Sequence, residues 1–166
     1  MTDVWSSAPG LGATGIAARI PHAGSMCLLQ GVREADAEQL QAVASSHRLP
    51  GNPLARNGRL GAACGVEYAA QAMALHGALT AQAEAGGAPD KARAGYLVNV
   101  RNLVLQVQRL DDIAADLLVQ VQKFDDSGAF TVYDFSLAAD ESPARPLLSG
   151  RAYVMLQAPD SGVDHG

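Results

Sequence analysis

The sequence predicts an α+β domain, an antiparallel sheet wrapped around one long central helix, on three observations. From Ala62 to about Ala85 almost every residue is Ala, Leu, Val, Met or another good helix former, and its first half leaves no solvated face, as expected of an enclosed helix. After it, residues 95–108, 114–123, 129–138 and 147–156 are rich in β-branched residues and partly alternating. Ahead of it, residues 28–35 and 38–46 are short segments separated by Asp36, a hairpin pattern. A hairpin, one apolar helix and four more strands make two layers, helix against sheet.

Taken in order, residues 1–18 are rich in Gly, Ser and Ala, a flexible lead-in within which Ile16, with Ile20 just beyond, is expected to pack. A single domain is expected over 19–157. Pro21 stiffens its entry, and residues 25–29 suit one helical turn. In the second hairpin strand Leu40, Ala42 and Ala44 share one face and Gln39, Gln41 and Val43 the other, which puts His47 at the strand exit. Pro50, Gly51, Asn52, Pro53, Asn57, Gly58 and Gly61 make residues 48–61 a loop that delivers the chain to the helix. Gly86 and Gly87 are its stop signals. Asp125-Asp-Ser-Gly is a hairpin turn and 141–146 a longer connection, while the polar residues 158–166 read as a disordered tail.

Composition narrows the function classes. The 166 residues suffice for one domain with a proper core. A net charge of −5 argues against nucleic acid or an anionic membrane as partner. Cys27 and Cys64 have neither metal spacing nor the makings of a disulfide framework. The start lacks a charged segment with an apolar run behind it, and no window reaches membrane-spanning length without polar breaks. The expectation is a soluble cytoplasmic protein.

The central helix carries the chemistry. Glu67 and Gln71 lie one turn apart on one face, with the small residues Ala63, Cys64, Ala70, Ala74 and Ala78 clustered around them; Ala69, Ala72, His76 and Leu79 lie opposite. Glu67 is either a solvated rim residue or a poised acid or base with room for a ligand beside it. Cys64, near the helix start, either packs or acts as a nucleophile with His47. His76 reads as a packed or rim histidine, and His165 falls in the tail. Gly61, Gly65 and Asn52-Pro53 lack the frame of a phosphate loop.

Three local patterns in this order resemble the hotdog-fold 3-hydroxyacyl-(acyl carrier protein) dehydratases of the FabA/FabZ type, in particular the branch encoded with aryl-polyene pigment clusters. Pro21-His22 with Leu28-Leu29 is similar to the family's Pro-His and paired-Leu segment. His47-Arg-Leu-Pro-Gly-Asn-Pro is similar to its His-Phe-Pro-Gly-x-Pro loop, and Glu67-Tyr-Ala-Ala-Gln71 to its Glu-x-x-x-Gln. Arg48 stands where the family has an aromatic, Gln30 where it has an acid, and the loop from His47 to Glu67 is several residues longer.

The resemblance implies a hotdog fold and dehydration of a 3-hydroxyacyl thioester, which needs a base for the proton beside the carbonyl, an acid for the departing hydroxyl and donors for the enolate oxygen. His47 is then the base, and Glu67, in a low-polarity tunnel, the acid. Gln71 orients Glu67, backbone N–H groups from Gly61 to Gly65 face the thioester oxygen, and His22 is near the site in a bonding or binding role. Arg48, Arg56 and Arg59 flank the entrance expected for an acidic acyl carrier protein, with a coenzyme A thioester the alternative substrate. No metal, nucleotide or other cofactor is required. Protomers pair, as a homodimer or as a hetero-oligomer with another hotdog protein, so that His47 and Glu67 of one chain serve different sites. The alternatives are a hotdog thioesterase, with Glu67 activating water, and a non-catalytic hotdog subunit supporting an active partner.

Overall fold

The computed structural model describes residues 3–87, 95–128 and 130–156. In chain order the helices are α1 (Val4–Ser7), α2 (Ala13–Ala17) and α3 (Gly65–Glu84), with single 3-10 turns at Ala8–Gly10, Gly24–Met26, Ser46–Arg48 and Ala62–Cys64. The strands are β1 (Gly31–Ala35), β2 (Gln39–Ala44), β3 (Gly95–Leu105), β4 (Leu117–Asp126), β5 (Phe130–Ala139) and β6 (Pro146–Leu156). They form one antiparallel sheet in the order β1-β2-β4-β5-β6-β3.

The β1–β2 hairpin closes on Asp36, whose carboxylate accepts the N–H groups of Glu38 and Gln39 at 2.8 and 3.0 Å. Beyond it Leu40, Ala42 and Ala44 are wholly buried, the inward face that alternation predicts. Helix α3 lies on that face against β2, β4 and β5. It ends as its glycines require: Gly86 and Gly87 take φ of 77° and 97°, and the Gly87 N–H reaches the Gln82 carbonyl at 2.8 Å, a Schellman closure.

The helix approaches the sheet closely because its contacting residues are small. A Cβ on Gly65 would meet both terminal methyls of Leu148, at 2.7 and 2.8 Å, so this glycine is a packing residue at the helix start. Yet α3 is not enclosed all round. Ala63 is exposed and Val66, Glu67, Ala70, Ala74 and Gly77 are half-buried, which leaves one stripe of small side chains uncovered in the single chain, while Ala78 is buried.

One expectation changes. The lead-in is not loose chain: α1, the 3-10 turn after it and α2 send Val4, Ala8 and Ile16 into the core, and Trp5 stacks toward His76 at 5.7 Å between ring centroids. Burying those few apolar groups offsets the cost of ordering a Gly- and Ser-rich segment, so the core reaches back before residue 19. The four later strands, moreover, do not pair in sequence order. β3 goes to the far edge beside β6, and residues 106–116 carry the chain back to place β4 against β2. Residues 158–166, including His165, lie outside the described residues. Among the described residues no helix is long and apolar enough to cross a membrane.

Candidate functional site

Glu67 meets its partners on the segment that precedes β1. Its Oε1 lies 2.9 Å from His22 Nε2 and 3.4 Å from Gln71 Nε2. The segment is held there by α3 itself: buried Gln71 accepts the Leu28 N–H at 2.9 Å and donates to the Met26 carbonyl at 2.5 Å. Those are its short bonds. Gln71 is therefore first a clamp for residues 26–28 and only weakly an orienter of Glu67. The Cys27 thiol donates to the His22 carbonyl at 3.3 Å, and buried Ile20 anchors the chain just before it. Glu67 is 32% exposed, so the single chain builds no closed tunnel around it.

His47 is built differently. It is 1% exposed, and its Nε2 lies 3.0 Å from the carbonyl oxygens of both Ile113 and Ala115. Carbonyls only accept, so Nε2 carries the proton and Nδ1 keeps the lone pair, buried and without a partner among the described residues. Arg48 fastens the same loop, donating to the Ala114 carbonyl and the Asp116 carboxylate, each at 2.7 Å. Further back, Asp111 accepts the Leu60 N–H at 2.9 Å and pairs with Arg109, whose guanidinium holds its carboxyl well below the usual range. Arg48 is thus spent on this loop and is not a free docking cation.

A directional chain of hydrogen bonds joins the two halves. Ser46 Oγ must donate to the Leu28 carbonyl at 2.8 Å, so it accepts from Tyr68 Oη at 2.8 Å, which accepts from Asn52 Nδ2 at 3.1 Å. Burial pushes the Tyr68 phenol up, which keeps it protonated and donating. Helix, His47 turn and pre-β1 segment are thereby set relative to one another.

The remaining predicted residues divide. Of the N–H groups from Gly61 to Gly65, Ala62 donates to Gln108, Cys64 to Gly61 and Gly65 to Ala62, so most are already engaged at the helix start. Cys64 donates weakly to the Leu54 carbonyl at 3.9 Å, and among the described residues it makes no hydrogen bond to His47. Arg56 and Arg59 are exposed and face each other across a tight turn, their N–H and C=O groups paired at 2.8 and 2.9 Å. Asn57 and Gly58 at its tip take φ of 52° and 71°.

His76 is a core residue. Its Nε2–H donates to the Asp36 carbonyl at 2.9 Å and its Nδ1 accepts from Tyr133 Oη at 2.8 Å. Burial holds both His76 and His47 below the ordinary imidazole value of 6.5; Asp36, Glu38 and Lys123 act on the first, Arg48 and Asp116 on the second. With the folded value below the unfolded one, the unfolded chain takes up protons first. Stability is then full above about pH 6.5 and falls as pH drops. The loss in Tm between pH 7.5 and 5.5 should be smaller in His76→Gln than in wild type; equal losses would mean that His76 does not contribute.

The structure thus brings Glu67, Gln71 and His22 together, and gives His47 a separate setting. Sequence reasoning missed the loop that carries Ile113, Ala115 and Asp116. Backbone carbonyls have no residue signature, although Arg48 beside a histidine was a signal that an acidic loop should lie nearby.

An antiparallel sheet wrapped round one long helix is the hotdog arrangement, and this one carries a carboxylate on the helix and a buried histidine at a strand exit. Residues 14–160 match the model of the ApeP-like family, described as ApeP dehydratase. The chain belongs to that family, and is a hotdog-fold dehydratase, a hydro-lyase. Among solved structures it is similar to the dehydratase heterocomplex ApeI:P from Xenorhabdus doucetiae, at 18% identity and a TM-score of 0.71 over 86% of this chain and 91% of that one. Zebra fish thioesterase superfamily member 2 matches at 14% identity and a TM-score of 0.56, over 89% and 99% of the two chains. A thioesterase of Haemophilus influenzae matches at 9% and 0.53, over 76% and 77%. No curated protein matches.

Proposed function

We propose that this dehydratase removes water from a 3-hydroxyacyl thioester borne on an acyl carrier protein, giving the trans-2-enoyl thioester, in aryl-polyene or fatty-acid-like biosynthesis. The observation that carries the residue assignment is the fixed tautomer of His47, whose Nε2–H is tied to the carbonyls of Ile113 and Ala115 while Nδ1 keeps its lone pair. In this reading substrate binding opens a path to the buried Nδ1, which takes the proton from C2. Glu67 gives a proton to the 3-hydroxyl, the C3–O bond breaks, and water leaves as C2=C3 forms.

His47 and Glu67 have separate partners in one chain, so the complete site is shared with a neighbouring hotdog chain. Two features support such a neighbour: the half-exposed stripe of α3 around Glu67, and the edge strand β3, whose Tyr96, Val98, Leu103, Val104 and Leu105 are at least 40% exposed. A long apolar edge strand of this kind calls for pairing. The similar Xenorhabdus doucetiae structure is described as a heterocomplex, which supports a different hotdog chain as that neighbour, with a second copy the alternative.

The test is incubation with 3-hydroxyacyl-carrier protein, alone and with a co-purified hotdog partner, following loss of water by mass. Release of free thiol without dehydration would overturn the reading in favour of a thioesterase. Arg56 and Arg59 lie on an exposed turn and suit the acidic carrier protein. Changing both to Glu should raise KM for carrier-bound substrate severalfold, and added salt should mimic it, with little effect on a small thioester mimic. Equal loss on both substrates would instead indicate damage to the turn.

A further inference from the structure

We infer that His22 is the positioning residue of the acid, holding one oxygen of Glu67 so that the other is presented to the substrate hydroxyl. This rests on the dehydratase reading above and goes beyond it, because that reading leaves Glu67 to act alone. The geometry is specific. Both contacts to the carboxyl, from His22 Nε2 at 2.9 Å and Gln71 Nε2 at 3.4 Å, go to Oε1. Among the described residues Oε2 has no hydrogen-bond partner, and a third of the side chain is open. A carboxyl gripped by one oxygen has lost most of its freedom to rotate, so the direction of the other is fixed.

His22 is itself fixed. Pro21 limits the backbone before it, Ile20 is buried, the Cys27 thiol bonds its carbonyl, and Gln71 clamps the chain at Met26 and Leu28. Its Nδ1 is buried, so the ring is packed on that side and reaches Glu67 with the other. A surface histidine pairing by chance would show none of these restraints. Gln71 therefore acts twice, weakly on the carboxyl and strongly on the segment that brings His22 to it.

In the reaction, the proton on Glu67 Oε2 passes to the 3-hydroxyl as the C3–O bond breaks, and the pair of electrons left on the carboxylate is stabilised by the N–H that His22 Nε2 donates to Oε1. The proton taken from C2 by the base returns to Glu67 after the enoyl product leaves, which restores the starting state. His22 neither gains nor loses a proton across the cycle; it aims the acid and supports its conjugate base.

Four variants and one spectrum test this in the intact chain with its partner. His22→Ala should lower kcat at the site that Glu67 serves by about tenfold to a hundredfold, the worth of one hydrogen bond to a charged group, with KM nearly unchanged, so that a complex whose partner completes a second site falls to about half its rate. His22→Gln, whose amide reaches about where Nε2 lies, should recover much of that loss, and His22→Phe, which keeps the ring but not the donor, should not. Independently of turnover, the Nε2–H proton resonance of His22 should be shifted downfield in wild type and move back in Glu67→Gln. A normal kcat in His22→Ala, equal recovery by Gln and Phe, or a resonance indifferent to Glu67 would each overturn the inference. If instead Glu67→Gln retains full activity, the acid assignment of the proposed function fails, and His22 with it.

Discussion

Glu67→Gln is expected to remove turnover at every site that uses it while the protein keeps its fold. The amide matches the carboxyl in volume and can still contact Gln71 and His22, so the loss isolates proton transfer. General acid catalysis contributes about 10²- to 10⁴-fold. The rate at each such site should fall by that order, with an unchanged Tm, because a half-exposed side chain on a stripe of small residues carries little packing. His47→Ala should cost as much activity and, unlike Glu67→Gln, some stability. It is 1% exposed and its imidazole ties the 113–115 carbonyls to the strand exit. Full activity in Glu67→Gln would remove the acid assignment. A larger loss in His22→Ala than in His47→Ala would move the base to the histidine beside Glu67.

The sequence made the sheet-wrapped helix legible where local chemistry decides the outcome. Leu40, Ala42 and Ala44 alternate and are buried; Gly86 and Gly87 stop α3 through left-handed backbone that a residue with a Cβ would resist. Where the outcome depends on distant partners, it was not legible. The edge position of β3 follows from its pairing with β6, a choice among strands of similar composition. Gln71 looked like a partner of Glu67 because the two are one turn apart, yet its shortest bonds run to Met26 and Leu28, more than forty positions away in the chain.

The same limit applies to Arg48. It reads as a solvated loop cation until Ala114 and Asp116 are placed opposite it. The resemblance implies for Gly65 a backbone N–H toward the substrate; the structure adds that its missing side chain lets the helix rest against Leu148. In each case the partner is supplied by the fold. The segment around His22 shows the reverse: a motif known from its order alone gains a fixed place beside Glu67 because Cys27, Gln71 and Ile20 hold it there.

Mixing two inactive variants should restore activity if the proposed site is shared between two copies of this chain. Take His47→Ala and Glu67→Gln, unfold and refold them together, and let the protomers pair at random. Half the dimers are then mixed, and each mixed dimer has one site with both residues intact and one with neither. By two-fold symmetry the mixture should regain roughly a quarter of the wild-type rate. A mixture as inactive as its parents, with subunit exchange demonstrated, would sink sharing between copies. The same variants separate a second copy from a different hotdog neighbour. If that neighbour supplies its own histidine and carboxylate, each single variant spoils one of two sites and should keep about half the rate of the complex, whereas the double variant should keep none.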